Sequence, residues 1–347
     1  MHFCIFAIKL HKGYSSPIIM SEKAIGRFSF VGICSTLHFL VDGLCVCSLY
    51  LLSSHVEISY LLGIFLTYNI LAFLTQPLTG VLVDKSHKMH WILLASVVSL
   101  SLAVLLVSLV ISTTLFRNVW GIFAIASFLG IGNSLFHVWG GKQTVLKTDN
   151  DIRALGTFVS TGAFGLSVGM VFFSWTLLYI ILLAICLLSL AYLKLDFSTS
   201  GQPAVTTPPT DERLSFTQAF VCFSIVSLML IVMLRSLIGE LFSSGIVKNP
   251  TIILALGAVA MFGKMAGGWL CKYMGLVPAS ILMVVGVVVC LLFKDSSETV
   301  LFMGLFLINC TMPVTLYLAN VLLRGKEGYA FGLLAASLIP GYLLSTL

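Results

Sequence analysis

Charged residues are scarce in this sequence. Asp, Glu, Lys and Arg together make up 9% of its 347 residues, whereas 59% of the residues are hydrophobic. A soluble domain has about 25% charged residues. One aqueous core cannot bury this much apolar surface, so the composition excludes an ordinary soluble globular protein.

Paired cysteines and known catalytic motifs are also lacking. The nine cysteines are scattered, mostly within apolar stretches, and form no CxxC pair or His/Cys group with zinc-site spacing. The sequence therefore predicts neither a disulfide framework nor a metal site. It contains no GxxxxGK[ST], GxSxG or HExxH motif. We therefore expect no ATP-driven transport, no enzyme activity and no cofactor.

Long apolar runs recur along the whole chain. A helix needs about 20 predominantly apolar residues to cross the hydrocarbon core of a bilayer. The sequence thus predicts an all-α polytopic membrane protein. The predicted spans are residues 28–52, 58–82, 91–112, 119–140, 154–173, 175–194, 216–242, 250–272, 275–293, 299–322 and 327–347.

Basic residues fall mainly on one side of these spans. If the N-terminus is cytoplasmic, the outer loops hold only Arg117, Lys248 and Lys294. The inner side then holds Lys9, Lys12, Lys23, Arg27, Lys85, Lys88, Lys142, Lys147, Arg153, Lys194, Arg213, Lys272, Arg324 and Lys326. This asymmetry predicts a cytoplasmic N-terminus. The expected location is the plasma (inner) membrane. Because the net charge of +6 is spread over short loops, a nucleic-acid partner is not expected.

A stretch rich in Pro, Ser and Thr divides the chain into two parts. Residues 195–215 have the composition of a flexible linker and separate the sixth and seventh predicted spans. We predict a cytoplasmic N-terminal segment at 1–27, a six-helix bundle at 28–194 and a five-helix bundle at 216–347. The last span ends without a basic tail, so a twelfth helix is expected to be missing; the alternative is a true eleven-span form. Met20 is an alternative start.

Two similar segments close the second and eighth spans. "QPLTGVLVDKSHK" at 76–88 has a counterpart in "KMAGGWLCKYMG" at 264–275. In both, a polar residue precedes a glycine by four positions, and Gly-x-Leu leads into a basic turn. Such a repeat is typical of transporters built from two similar bundles.

The segment "GVLVDKSHK" resembles the G-x-L-x-D-[KR]-x-x-[KR] motif that follows the second helix of the major facilitator superfamily. The resemblance implies a monomeric transporter of small molecules, with a gate that locks two bundles together on the cytoplasmic side. It also implies that Gly80 permits close helix approach. Asp84 would be the gating carboxylate, and Lys85 and Lys88 would be the basic residues of the gate.

Other stretches are similar to the fosmidomycin-resistance-type efflux branch of that superfamily. They are H-x-x-x-D at His38 and Asp42, Q-P-L-x-G at 76–80, Phe136 and His137 at the end of the fourth span, and L-R-S at 234–236. Val138 and Trp139 stand where the branch has Pro and Glu. The similarity implies proton-coupled export of a small amphiphilic or anionic compound. Alternatives are a uniporter or importer of the same fold, or a membrane protein that transports nothing.

Charged residues within the predicted spans are the main candidates for function, because a charge at this depth is costly and usually has a role. His38 and Asp42, four residues apart, share a helix face. They either exchange a proton near neutral pH or brace helix packing. Arg235 either pairs with Asp42, binds an anionic group or is structural. We predict that His38, Asp42, Arg235 and Glu240 take part in proton coupling or substrate binding.

Further residues are weaker candidates. The alternative for Arg235 and Glu240 is that both side chains snorkel to the outer interface and have no role in the site. Lys264 is expected to be structural, and Lys142 to lie near the cytoplasmic mouth. His137 either lines the cavity or anchors the helix at the interface. The other predicted cavity-lining residues are Asn133, Asn309, Tyr317 and Asn320. Gly162, Gly165 and Gly169 are predicted to form a close-packing face.

Overall fold

The computed structural model describes residues 22–113, 119–195 and 217–345. These ranges are almost entirely helical and contain no strand. Ten of their helices are long and apolar enough to cross a membrane, and Leu276–Leu292 is a further apolar helix of 17 residues. The predicted all-α polytopic membrane protein is confirmed.

The long helical segments of the described ranges are labelled α1 to α11 in chain order. They are α1 Glu22–Ser53, α2 Ile58–Lys85, α3 Met89–Ser112, α4 Val119–Thr148, α5 Ile152–Val171, α6 Trp175–Lys194, α7 Gln218–Ser244, α8 Pro250–Met274, α9 Leu276–Leu292, α10 Glu298–Leu322 and α11 Glu327–Ser345. Most of the predicted boundaries lie within a few residues of these.

Helix α4 is the exception, because it continues to Thr148 instead of ending at residue 140. Gly140 and Gly141 do not end the helix. Their missing side chains leave room for the rings of Phe158 and Phe331, which lie directly against them. The charge of Lys142, the next residue, is compensated by Asp84.

Three helices are interrupted in their middle. Helix α2 contains a π-helical turn at Ile70–Leu74, α10 is broken at Thr311, and α11 is broken at Ser337. Pro313 and Pro340 lie just after the last two breaks. Proline has no N–H to donate, which explains why the regular ladder is interrupted there.

Helix α5 connects the two parts of the molecule. It packs along α1 on one side and along α8 on the other. The contact with α1 is a backbone contact, since a Cβ at Gly165 would overlap the carbonyl of Phe39 and one at Gly169 that of Gly43. Small residues permit this close approach in membrane helices. The predicted close-packing face therefore lies against α1.

The helix bundle has two ends, the Asp84 end and the Asn249 end. The Asp84 end holds the connections α2–α3, α4–α5 and α8–α9, and the opposite end holds Asn249. At the Asp84 end, the two similar sequence segments make similar contacts. Gly80 of α2 lies against the backbone of Gly328, and Gly268 of α8 lies against the backbone of Ile152.

Some predictions fall outside the described residues. These are positions 1–21 of the N-terminal segment, the linker apart from Leu195, and the basic residues Lys9, Lys12, Arg117 and Arg213 that entered the orientation argument.

Candidate functional site

Asp42 lies near the middle of α1, about fifteen residues from Arg27, where the apolar span of α1 begins. Its side chain is buried among α1, α4 and α5, together with His38, Asn133 and His137; all four residues are at most 6% exposed. A carboxylate at this depth needs partners, because burial of an unpaired charge is strongly unfavourable.

The Asp42 carboxylate faces polar groups from two helices. Its Oδ1 lies 2.9 Å from His137 Nε2 and accepts a hydrogen bond of 3.0 Å from Asn133 Nδ2. Its Oδ2 lies 3.2 Å from His38 Nε2, one turn earlier on the same helix. Asn133 and His137 are themselves one turn apart on α4. Two i, i+4 pairs on facing helices thus converge on one carboxylate.

The contact of the second ring nitrogen of His38, Nδ1, determines which nitrogen of the ring carries a hydrogen. His38 Nδ1 is 2.7 Å from the carbonyl oxygen of Phe158 on α5. A carbonyl oxygen can only accept a hydrogen bond, so Nδ1 carries the hydrogen. In a neutral imidazole, Nε2 would then present a lone pair to Oδ2 of Asp42. This contact is favourable only when a further proton lies on His38 or on Asp42. The pair is therefore built to hold one exchangeable proton.

Gly162 completes the wall around this pair. A Cβ at Gly162 would overlap Oδ2 of Asp42 and Nε2 of His38. Only glycine lets α5 approach closely enough for its Phe158 carbonyl to reach His38. The packing of α1 on α5 and the orientation of the His38 ring therefore depend on the same contact.

The cluster opens into a central cavity of about 200 Å³. His38, Asp42 and His137 line one side, and Arg235 of α7 and Lys264 of α8 line another. The remaining walls are mostly apolar. They are formed by Phe73, Val159, Ala163, Leu166, Met312, Thr315, Leu316, Phe331, Leu334, Ala335 and Leu338. Phe73, Met312 and Leu338 each lie at or beside one of the helix interruptions described above.

Arg235 and Lys264 form no ion pair among the described residues. Arg235 is 8% exposed, and its Nη1 has no hydrogen-bond partner in the described part of the chain. Asp42, the carboxylate that lines the same cavity, already has the partners given above. The cavity thus contains two cationic side chains that form no ion pair with any described residue, and one carboxylate, Asp42, that faces other groups.

His38, Asp42 and His137 also have the geometry of a possible metal site. Their candidate ligand atoms all lie within 4.8 Å of one another, and the His38 Nδ1 contact to a carbonyl is typical of metal-bound histidine. Sequence spacing did not predict this group, because its members come from two helices. Arg235 and Lys264 on the same cavity oppose a divalent cation electrostatically.

Some predicted site residues lie elsewhere. Glu240 is on α7 but not on the cavity; its Oε1 is 3.9 Å from Lys248 Nζ, towards the Asn249 end. Five residues correspond to about 500° of helix rotation, so Glu240 and Arg235 face different directions. Arg235 therefore lines the cavity without Glu240, and a role of Glu240 in proton coupling or substrate binding stays a prediction.

The polar residues predicted on α10 do not line this cavity in the described structure. Asn309 and Asn320 instead donate to backbone carbonyls of their own helix, those of Leu305 and Leu316. Tyr317 lies off the cavity as well, whereas Thr315, two residues away, lines it. The break at Thr311 shifts the register of the inward face, which a regular helical period could not show.

His137 and Lys264 are more central than the sequence predicted. Because α4 runs on to Thr148, His137 lies about 16 Å from the helix end and is not an interfacial anchor. Lys264 was expected to be structural, but it lines the cavity. Asn133, predicted as a cavity residue, contacts Asp42 without lining the cavity itself.

A second group of contacts closes the Asp84 end. Asp84 Oδ1 accepts a hydrogen bond of 2.9 Å from the backbone N–H of Gly328, and Oδ2 accepts one of 2.8 Å from that of Tyr329. The carboxylate therefore caps the start of α11, where free N–H groups and the helix dipole favour an anion. A Cβ at Gly80 would overlap the Gly328 backbone, so α2 and α11 are in direct contact here.

The basic partner of Asp84 is Lys142 and not a residue of its own loop. Lys142 Nζ lies 3.2 Å from Asp84 Oδ1 and donates a 3.0 Å hydrogen bond to the carbonyl of Val83. Lys85 and Lys88 are exposed and form no ion pair among the described residues. The ion pair with Asp84 was not predicted, because α4 was expected to end before Lys142; a role of Lys85 and Lys88 in the gate stays a prediction.

Comparison with solved structures identifies the architecture. The fucose:proton symporter FucP of E. coli superposes with a TM-score of 0.64 and 12% identity, over 92% of this chain and 90% of FucP. FucP in an outward conformation gives a TM-score of 0.66 and 11% identity over the same shares. This chain has the major facilitator superfamily fold.

A third similar structure is a bacterial homologue of the iron transporter ferroportin, in an outward-facing state. Its TM-score is 0.54 at 14% identity, over 91% of this chain and 90% of the homologue. No family model matches the sequence, and no curated protein matches it. At these identities, the likeness concerns the major facilitator fold.

Proposed function

We propose that this protein is a secondary transporter that couples the movement of a small organic solute to protons by alternating access. The observation that carries the proposal is the contact between His38 Nε2 and Asp42 Oδ2, at 3.2 Å, with the other ring nitrogen bound to the carbonyl of Phe158. The pair needs a proton in this geometry and lies beside a cavity in the middle of the fold. Transporter sites commonly lie at the bilayer midplane.

Two bundles, residues 28–194 and 216–347, would rock about this cavity. The positive-inside rule supports a cytoplasmic Asp84 end in a plasma or inner membrane. Asp84, held by Gly328 and Tyr329 across the two bundles, would then be the inner gate. The structure has this end closed, and two of the similar structures are described as outward-facing.

The direction of transport is a separate part of the proposal. Resemblance to the efflux branch implies export, in which proton and substrate compete for the central site. A symporter requires that proton and substrate bind together, and FucP is described as a fucose:proton symporter. The two schemes predict opposite effects of pH on substrate affinity, because in the first a proton weakens substrate binding and in the second it strengthens it.

The experiment is transport by the full chain in proteoliposomes with an imposed pH gradient, across a panel of lipophilic, neutral and anionic compounds. We expect gradient-driven flux of at least one compound in the wild type and no gradient dependence in Asp42→Asn. Asp295→Asn is the matched control, because Asp295 is exposed. Flux that ignores the gradient in the wild type would contradict proton coupling and indicate a uniporter.

A non-transporting membrane protein predicts a different result. It should tolerate neutral replacements at Asp42 and Arg235 and show no compound-dependent change in melting temperature. Arg235 is buried and forms no ion pair with any residue that the structure describes. This argues against the alternative, because a cation without a partner at this depth is unfavourable unless it binds something.

A further inference from the structure

We propose that the substrate is a small organic anion, with a carboxylate or phosphate group held between Arg235 and Lys264 and a short apolar body against the cavity walls. This inference rests on the proposed transport function and names its substrate class.

The charges of the cavity are the first argument. Arg235 and Lys264 each carry one positive charge, and Asp42 carries one negative charge, which His137, Asn133 and His38 already contact. With both histidines neutral and Asp42 ionised, the cavity has an excess of one positive charge, and the proton that the His38 and Asp42 pair holds raises this excess to two. A buried excess charge is strongly unfavourable unless a counter-charge reaches it. An anion in the cavity supplies that counter-charge.

The unused hydrogen-bond donor is the second argument. Arg235 is 92% buried, and its Nη1 finds no acceptor among the described residues. Guanidinium groups present a planar fork of donors that fits carboxylate and phosphate oxygens. A neutral solute with a single carbonyl would satisfy this fork less well and would leave the excess positive charge of the cavity uncompensated.

The size and lining of the cavity limit the anion. A volume of about 200 Å³ is below the roughly 300–1,000 Å³ typical of drug-sized ligands. Most of the wall is apolar, including Phe73, Leu316 and Phe331. The fitting ligand is therefore a compact organic acid or phosphate ester, and not a large amphiphilic compound.

Protons and the anion should bind together. The titratable and charged groups near Asp42 are His38 and Cys45 on α1, Tyr68 on α2 and His137 on α4, with Arg235 and Lys264 across the cavity. A proton added to the His38 and Asp42 pair makes the cavity more positive and strengthens anion binding. By linkage, the anion strengthens proton binding equally. This favours co-transport of proton and anion over exchange.

The test is the melting temperature of the purified full-length protein in detergent, titrated with sodium lactate, sodium acetate and inorganic phosphate at constant ionic strength. The neutral counterparts are lactamide, acetamide and glycerol. We expect a saturable rise in melting temperature with at least one anion and none with its neutral counterpart, because a ligand that binds the folded state stabilises it.

Variants distinguish anion binding in the cavity from a general effect of the protein's charge. Arg235→Gln and Lys264→Gln should each weaken the apparent affinity for the anion at least about tenfold, the effect of losing one charged hydrogen bond. Arg235→Lys should recover part of it. Lys294→Gln, which removes an exposed cation, should bind like the wild type. For lactate or acetate, affinity should be higher at pH 6 than at pH 8, and Asp42→Asn should remove this difference.

Several results would overturn the anion proposal. One is an Arg235→Gln protein that binds the anions as the wild type does. Another is stabilisation by Zn²⁺ with no response to any anion, which would assign a cation site to His38, Asp42 and His137. A third is gradient-driven flux of neutral compounds alone, which would reject the anion but leave proton-coupled transport standing. Absence of any flux, with or without a gradient, would instead reject the transport function itself.

Discussion

Gly162 of α5 lies directly against Asp42 of α1, with no space for a Cβ between them. The same glycine lies against Nε2 of His38, whose other nitrogen bonds the carbonyl of Phe158, one turn before Gly162. The packing of α1 on α5 and the proton site therefore depend on the same contact at Gly162. A change in the distance between α1 and α5 must alter the contacts of His38.

The first prediction concerns this glycine. Gly162→Ala should lower stability by about 1–3 kcal/mol, as overpacking of a tight contact does. It should also abolish gradient-driven flux in the folded fraction, because α5 must move away from His38. Thermal unfolding and proteoliposome flux measure the two effects. Gly32→Ala is the matched control on α1, since a Cβ there meets nothing within 4 Å. Equal behaviour of the two variants would contradict the packing argument.

The membrane spans and the His38 and Asp42 pair were predictable from the sequence, because both depend on residues close together in the chain. Apolar runs show spans directly, and a spacing of four shows a shared helix face. The partners of Asp42 on α4 were not predictable in the same way. Asn133 and His137 are separated from Asp42 by 91 and 95 residues, and only the packing of α1 on α4 brings them together.

The end of α4 was not predictable from the sequence for a different reason. Two glycines and a lysine at 140–142 read as the close of a span, since glycine weakens helices and charge avoids the bilayer. In the structure the rings of Phe158 and Phe331 occupy the space beside the glycines, where a Cβ would overlap them, and Asp84 compensates the charge of Lys142. Each compensation comes from a distant helix, and so the helix continues against its local propensity.

The second prediction distinguishes the lysines near the gate. Lys142→Gln should destabilise the protein by about 3 kcal/mol, because it breaks a pair in which each side chain is only 10% exposed. Lys85→Gln removes the same charge from an exposed position and should change stability by less than about 0.5 kcal/mol. Chemical or thermal unfolding in detergent compares the two variants. A larger effect at Lys85 would restore the role that the loop motif implies.

The third prediction concerns the carboxylate of the gate. Asp84→Asn removes the charged cap of α11 and should weaken the closed state by about 1–2 kcal/mol. The backbone N–H groups of Gly328 and Tyr329, which Asp84 binds, should then exchange with deuterium about tenfold faster. Hydrogen exchange with mass spectrometry follows the peptide that contains them. Unchanged exchange in this peptide, with Asp295→Asn as reference, would show that Asp84 does not hold the gate.

The fourth prediction separates the two histidines. His137→Gln keeps an N–H donor near Asp42 Oδ1 and should retain gradient-driven flux at a reduced rate. His38→Gln removes the nitrogen that faces Oδ2 at 3.2 Å, and with it the proton that the pair shares. It should therefore uncouple flux from the pH gradient. The two variants are compared in the same proteoliposome assay, at matched protein density. Uncoupling by His137→Gln, with coupling intact in His38→Gln, would assign the proton to the other histidine.

The most direct test of the central claim is the charge displacement that follows a pH jump, recorded from proteoliposomes on a solid-supported membrane without any substrate. Proton binding to a buried pair within the membrane moves charge, so the wild type should give a transient current. Asp42→Asn should give none, while Asp295→Asn should match the wild type. An undiminished current in Asp42→Asn would contradict the assignment of the exchangeable proton to His38 and Asp42.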